Sequence, residues 1–290
     1  MANGYMLRED APIEPDTWKV LDAAMVAAAR PVLVGRRLLS VEGPYGFGLK
    51  SVPLEDMQIE EDVFASSSIP VPQIATSFSL SKRDLAAYER EGLQLNLNPL
   101  VDAAVRAAEH EDRIVLRGSP PLIGLLGYGG ISSQALTAWD DLGTSAGDII
   151  QGVTALDKAG FHGPYAVALS PARYNQLYRR HPVGAFSELE QIQTIVTDGV
   201  FKAPVLESGG LILNTGRFYA SIVLGQDMTI AFIGPTKDML EFAIVESLAL
   251  VVRRPGAILA LTEERPQAST EERPRHVTVE QRPRRTGSSP

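Results

Sequence analysis

The sequence predicts an α+β fold in which helices and strands are segregated along the chain rather than strictly alternating. Three observations lead to that expectation. They are helix-period segments with recognisable ends at residues 16–30 and 98–116, broken two-residue alternation at 51–80, and a strand-rich run at 205–252. With 290 residues, 44% of them hydrophobic and 21% charged, the chain can build one large core or several lobes.

The first helix is expected to start at Asp16 after Pro15 and to run to about residue 30, with Trp18, Leu21, Met25 and Ala28 on one stripe and Pro31 ending it. Its other face, with Val20, Ala23, Ala24 and Ala27, is small and apolar where a surface helix would be charged. That predicts either burial on both sides or contact with something beyond the helix's own core. Between residues 51 and 80, Val52, Leu54, Met57, Ile59, Val63, Phe64, Ile69, Val71, Ile74 and Phe78 form two extended arms, with a turn expected at Ser66-Ser67-Ser68. The acidic cluster Glu55, Asp56, Glu60, Glu61 and Asp62 leaves the tip too polar for a core, so the hairpin is expected to reach across to another chain.

A spine helix is expected over 98–116, capped by Asn98, with Pro99 at its first position and Val101, Ala104, Val105, Ala108, Asp112 and Val115 on one face. A further helix spans about 146–159 and stops at Gly160. A strand at 165–169 leads into a helix that Ser170 caps and Pro171 opens, and Ser187 with Glu190 forms a capping box for another helix reaching about 197. Separate strands follow at 211–214, 219–224, 229–232 and 240–252. From residue 262 onward the chain has no aromatic residue but four prolines, five Glu and six Arg, which predicts a disordered tail over 262–290.

Composition excludes several chemistries. The chain has no cysteine, which removes disulfides, thiolate metal sites and cysteine nucleophiles. A net charge of −8 argues against nucleic acid as a partner. No apolar stretch reaches the roughly 18 residues that span a membrane, and no signal peptide opens the chain, so a soluble cytoplasmic protein is expected. Gly43 and Gly48 have the separation of a phosphate-binding loop, but Leu49 stands where its lysine belongs. Gly127-Tyr128-Gly129-Gly130 lacks the third glycine and following helix of a dinucleotide fingerprint. The consecutive Glu109, His110, Glu111 and Asp112 point in different directions on a helix, so ion pairing with Arg106 or Arg113 is expected rather than metal binding. No serine sits in a nucleophile elbow, and no catalytic residue, cofactor or metal is expected.

Several short segments recur in one order: Arg8-Glu9-Asp10-Ala11-Pro12 before Trp18, Gly35-Arg36-Arg37, Val41-Glu42-Gly43-Pro44-Tyr45-Gly46, Glu111-Asp112 before Gly118, Gly163-Pro164-Tyr165, and Leu224-Gly225-Gln226-Asp227. Together, over residues 6–261, they resemble the encapsulin shell proteins of family 1, the linocin or bacteriocin-like family. The resemblance implies a tailed-phage major capsid protein fold of the Hong Kong 97 type, with a peripheral lobe, an axial lobe and an extended loop. On that map residues 1–50 are an N-terminal arm and helix, 51–80 the extended loop, 81–131 the peripheral lobe with the spine helix, 132–241 the axial lobe, 242–261 the return to the peripheral lobe, and 262–290 the tail.

The same resemblance implies a non-enzymatic shell subunit that assembles with itself into an icosahedral nanocompartment in the cytoplasm. Such a shell encloses cargo enzymes, either ferritin-like iron oxidases or dye-decolourising peroxidases. The short extended loop implies the smallest icosahedron, roughly 60 copies if each fills one symmetry-equivalent position. Cargo would dock by a C-terminal targeting peptide, and the matching positions here are Ile13, Trp18, Leu21 and Met25. Arg180, His181, Pro182, Val183, Gly184, Ala185 and Phe186 match the five-fold pore loop, and Lys82-Arg83 stand where some members place a flavin-binding tryptophan. The alternative with the same fold is a phage or prophage major capsid protein. The glycines and prolines of the ordered segments are expected to set joints, and their arginines to bridge neighbouring copies.

Overall fold

The computed structural model describes residues 4–180 and 186–263. His181, Pro182, Val183, Gly184 and Ala185 of the expected pore segment, and residues 264–290 of the expected tail, lie outside the described residues. The chain runs α1 (Pro15–Ala29), α2 (Gly35–Leu38), β1 (Ser40–Glu42), β2 (Ser51–Glu60), β3 (Val63–Pro70), β4 (Gln73–Ser81), α3 (Lys82–Glu91) and α4 (Asn98–Asp112). It continues through β5 (Gly118–Ser119), β6 (Leu122–Ile123), β7 (Ser132–Leu136), α5 (Thr144–Lys158), β8 (Tyr165–Leu169), α6 (Pro171–Gln176) and α7 (Glu188–Ile195). The last elements are β9 (Val200–Lys202), β10 (Gly210–Asn214), β11 (Ala220–Thr236), β12 (Met239–Val252) and β13 (Ile258–Glu263).

Two packed layers share the chain. In the first, a four-stranded sheet in the order β1-β11-β12-β4 is covered by α4, with α1 packed on α4. Leu100, Ala103, Ala104, Ala107 and Ala108 make the buried face of α4, rotated from the expected stripe because Val101 and Val105 are only half-buried. Alanines keep this helix thin enough for α1 and β4 to approach it closely, and Thr76 of β4 donates its hydroxyl to the Ala103 carbonyl at 3.0 Å. Asn98 is the first helical residue rather than the cap. Leu97 holds the cap position, and the Asn96 side chain accepts from the Asn98 N–H at 3.1 Å. Beyond Asp112 the helix widens into a π-helical turn, Arg113–Arg117, which Gly118 ends.

In the second layer, five strands in the order β7-β13-β10-β8-β9 carry α5 and α7 on one face. Val167, Leu169, Ile212, Leu259 and Leu261 point to those helices, while Ala166, Ala168, Leu211, Leu213 and Ile258 join the core of the first layer. The sheet is therefore buried on both faces, as the uninterrupted apolar run of β8 requires.

Further expectations are corrected. The β2–β3 turn lies at Glu61-Asp62, where Asp62 takes a left-handed φ of 62°, a conformation that short polar Asp tolerates. Ser66, Ser67 and Ser68 instead sit inside β3, Ser66 opposite Asp56. The strands expected at 219–224 and 229–232 are one long β11, because the apparent breaks at Gly225, Asp227 and Gly234 are absorbed as bulges against an uninterrupted β12. Thr262 and Glu263, expected to open the tail, extend β13 alongside Ala135 and Leu136 of β7. Ser170 holds the cap position of α6 without a side-chain capping bond, whereas the Ser187–Glu190 capping box forms on α7 as expected.

Candidate functional site

Four of the ordered segments meet at one buried junction inside the chain. The Arg36 guanidinium, presented by α2, donates from Nε to Glu111 Oε1 at 2.9 Å and from Nη2 to Glu111 Oε2 at 2.9 Å. It also donates from Nη1 to Asp227 in the β11 bulge at 2.8 Å, and from Nη2 to Glu246 of β12. Glu111 and Glu246 are fully buried. Asp112 turns the other way, its two oxygens accepting the Val34 and Gly35 N–H groups at 2.9 and 2.8 Å, so a carboxylate of α4 closes the exposed amides at the start of α2. A Cβ on Gly35 would lie 3.1 Å from Val115 Cγ1, which explains the glycine at this close approach. Gly43 has a φ of +105°, and the Tyr45 and Gly46 amides then pair with the Leu224 and Gly225 carbonyls at 3.0 and 2.6 Å.

The junction corrects two expectations. Glu111 pairs with Arg36 rather than with Arg106 or Arg113, and Arg36 bridges elements of its own chain rather than neighbouring copies. Sequence separation hid this, since Arg36 lies 75 residues from Glu111 and 210 from Glu246. Burial, with the Glu111 carboxylate beside it, pushes Glu246 well above the ordinary carboxylate range despite the opposing pull of Arg36. Burial likewise lifts Asp112 to about 7, against the lowering effect of the Gly35 and Val34 amides. The junction therefore sets Glu246, whose charged form burial and Glu111 disfavour, beside a compensated Arg36–Glu111 pair, which lowers the cost of enclosing so many carboxyl groups.

A second network holds the other layer. Asp148 Oδ2 accepts from Trp139 Nε1 at 2.7 Å, the Thr137 N–H at 2.8 Å and the Thr137 hydroxyl at 3.0 Å. Arg173 lies over the Trp139 ring, donates to the Thr137 carbonyl at 2.9 Å and grips Glu263 at the end of β13. Nothing in the sequence spacing pointed to these residues; the hint was a buried-type tryptophan beside a turn-forming Asp140-Asp141 pair. Fully buried Glu188 accepts from the Gly143 N–H at 2.7 Å and the Ser145 hydroxyl at 3.0 Å, and pairs with Arg179 at 2.9 Å. Arg180 bridges Ser187, and Glu188 N–H bonds the Arg179 carbonyl at 3.1 Å, so the two ends of the expected pore segment are pinned together. Phe186, at one end, is exposed.

The expected cargo-docking residues separate. Trp18, Leu21 and Met25 are buried in the chain's own core, Trp18 edge-on to Phe242 at 5.8 Å with Arg8 stacked 4.1 Å above it. Ile13 is half-buried against the same core. These three buried side chains anchor α1 and offer no surface to a ligand. The open face of α1 is instead Ala23, Val26 and Ala27 with half-buried Val20 at its side, which includes Val20, Ala23 and Ala27 of the small apolar face noted in the sequence. The β2–β3 hairpin is another unburied surface, with Met57, Ile59 and Phe64 about three-fifths exposed at 59, 61 and 62%. Among the described residues there is no cluster of metal-ligating side chains. No helix among them is long and apolar enough to cross a membrane.

This architecture has known counterparts. Residues 3–249 match the family described as "Encapsulating protein for peroxidase". The type 1 encapsulin shell protein EncA of Myxococcus xanthus is 29% identical over 277 residues, covering 89% of this chain and 96% of that one. Among solved structures, the virus-like particle from Pyrococcus furiosus superposes with a TM-score of 0.69 at 19% identity, covering 85% of this chain and all of that one. The capsid of Myoviridae phage XM1 superposes with a TM-score of 0.55 at 15% identity, covering 80% and 92%. The chain belongs to the linocin-type family of encapsulating proteins, the encapsulin shell proteins, and its fold is that of the Hong Kong 97 type phage capsid subunits.

Proposed function

We propose that the chain is a self-assembling shell subunit of an icosahedral nanocompartment that encloses a cargo enzyme and admits small solutes, without catalytic chemistry of its own. The observation that supports this best is the β2–β3 hairpin. A two-stranded arm is marginal in water by itself, and this one leaves Met57, Ile59 and Phe64 exposed. Burial against other copies would supply the stability that its own chain does not. The closed junction and the Trp139 network tie the subunit's own elements to one another, which suits a building block.

Cargo is proposed to dock by a C-terminal targeting peptide along the open strip Val20, Ala23, Val26 and Ala27, bordered by Ile13. Trp18, Leu21 and Met25 would hold the helix beneath it. The cargo class is a peroxidase, which the family description names, or a ferritin-like iron oxidase, which the resemblance implies. The segment between the pinned Arg180 and Ser187 is proposed to line the five-fold opening.

The test is size-exclusion chromatography with negative-stain microscopy of the chain expressed alone. Uniform closed particles, free of nucleic acid and without peroxidase or iron-oxidising turnover, are expected. A stable monomer or small oligomer across salt and pH would overturn the proposal, and packaged nucleic acid would favour a phage capsid.

A further inference from the structure

We propose that the β11 bulge is a mooring that sets the angle at which the β2–β3 hairpin leaves the body of its own subunit, with Arg36 locking the bulge through Asp227, and that this angle selects the size of the assembled particle. The inference rests on the shell reading for its last clause only, since the mooring is a property of the single chain.

The hairpin forms a sheet with no strand beyond its own two, and every residue of β2 except Val52 is exposed. Its attitude to the body is therefore decided at its foot. The two legs differ there. The leaving leg, Pro70-Val71-Pro72, has φ fixed at both prolines and runs directly into β4, where Gln73 stands opposite Ser247 of β12. The Leu248 N–H also donates to the Pro72 carbonyl at 3.3 Å. The entering leg, residues 43–50, lies between β1 and β2 and belongs to neither. Gly46 takes a φ of +120° with open space around it, so this leg has little stiffness of its own. What holds it is the bulge, through the Tyr45 and Gly46 amides on the Leu224 and Gly225 carbonyls. The legs join at Lys50, whose carbonyl accepts from the Val71 N–H at 2.9 Å.

The bulge itself is fixed from three sides. The Gln226 N–H donates to Ser247 Oγ at 2.9 Å, and Ser247 also stands opposite Gln73, so both legs refer to one point on β12. A Cβ on Gly225 would lie 2.6 Å from Ser247 Oγ and 3.3 Å from Leu49 Cβ, so a side chain at 225 has to displace the hydroxyl, the leg or both. Asp227 Oδ1 accepts from the Met228 N–H and from Arg36 Nη1, both at 2.8 Å. The other carboxyl groups that Arg36 holds belong to α4 and β12, which references the bulge to both.

The length of the arm amplifies its foot. Ten residues of β2 span about 33 Å, so a tilt of about 10° carries the tip about 6 Å, more than the spacing between paired strands. A tip displaced that far meets a neighbouring copy at another angle, and the angle between copies fixes the curvature of a closed shell.

Asp227→Ala and Gly225→Val test the mooring from two sides, the first releasing the bulge from Arg36 and the second wedging the leg away from it. Hydrogen exchange of the full chain should show the Tyr45 and Gly46 amides exchanging about tenfold faster in both, the effect of one lost hydrogen bond, while the paired amides of β8 and β10 keep wild-type rates. Negative-stain microscopy of the same preparations should show more than one particle diameter where the wild type gives one. Asp227→Ala, whose side chain is about half exposed, decides where Gly225→Val fails to fold.

Foot amides that keep wild-type protection in Asp227→Ala overturn the mooring. Foot amides that are released while the particles keep the wild-type diameter overturn its role in particle size. A wild-type chain that forms no particles overturns the shell reading instead, and the exchange rates then judge the mooring alone.

Discussion

Arg36 is the residue on which three elements depend: one guanidinium holds Glu111 of α4, Glu246 of β12 and Asp227 of the β11 bulge. Removing it leaves buried carboxyl groups without a counter-charge, so Arg36→Met should cost about 3–5 kcal/mol in unfolding free energy. Burial and Glu111 disfavour the charged form of Glu246, so Glu246→Gln, which retains an oxygen facing Arg36, should cost less than Arg36→Met near neutral pH. Chemical denaturation of the two variants checks the contrast. The pH dependence has a definite sign. Folding raises Asp112 to about 7 and also raises Glu246 well above the ordinary carboxylate range, so the folded chain binds those protons more tightly than the unfolded one. Their contribution is full below about pH 4 and fades as pH rises through the folded values. Glu263, held down by Arg173, acts oppositely and loses its contribution as pH falls below the ordinary carboxylate range. Above about pH 5 the thermal midpoint should therefore fall as the medium becomes alkaline, with a shallower slope in Glu246→Gln; a midpoint that climbs between pH 6 and 9 would contradict this. At this scale the sequence was informative about types and silent about partners. Glu111-Asp112 stood out as one of the ordered segments, and Asp112 as a charge on the expected face of the spine helix, but which groups met them required the fold.

Among the elements, α7 and the hairpin differ in what local sequence decides. The capping box of α7 satisfies its first amides through Ser187 and Glu190, a reciprocal contact set by four consecutive residues. Ser187→Ala should lower stability by about 1 kcal/mol, read from the denaturation midpoint. The hairpin was legible as two arms, since alternation needs no tertiary information. Its turn was not, because a serine triplet carries composition without φ, while Asp62 supplies the left-handed residue that the reversal needs. Because its outer side chains are mostly exposed on their own chain, Phe64→Ser should change the subunit's melting little and weaken particle assembly; a midpoint drop of several degrees without loss of particles would contradict that. On α1 the sequence identified both faces. Which of them met the core depended on Phe242, an aromatic more than 200 residues away that draws Trp18 inward.

Across the whole molecule, the last described strand ties the layers together. β13 lies between β7 and β10, presents Leu259 and Leu261 to one core and Ile258 to the other, and ends in Glu263 under Arg173. A chain ending at Glu263 should therefore fold and assemble as the full chain does. One ending at Ala257 removes a central strand and should aggregate or remain unfolded, and circular dichroism with size-exclusion chromatography distinguishes the two outcomes. Aggregation of the chain ending at Glu263 would assign residues 264–290 an essential role.

The sequence by itself determined the α+β class, the helix ends marked by Pro, Gly and capping residues, the unburied hairpin and the ordered segments that mark the family. These follow from local propensity and periodicity, which act over a few residues. Only the tertiary structure decided that Arg36 joins its own chain, that the long β11 absorbs its breaks as bulges, and that α1 turns Trp18, Leu21 and Met25 inward. Those outcomes depend on groups brought together from distant parts of the chain, where burial removes water and gives each charge and ring its partner.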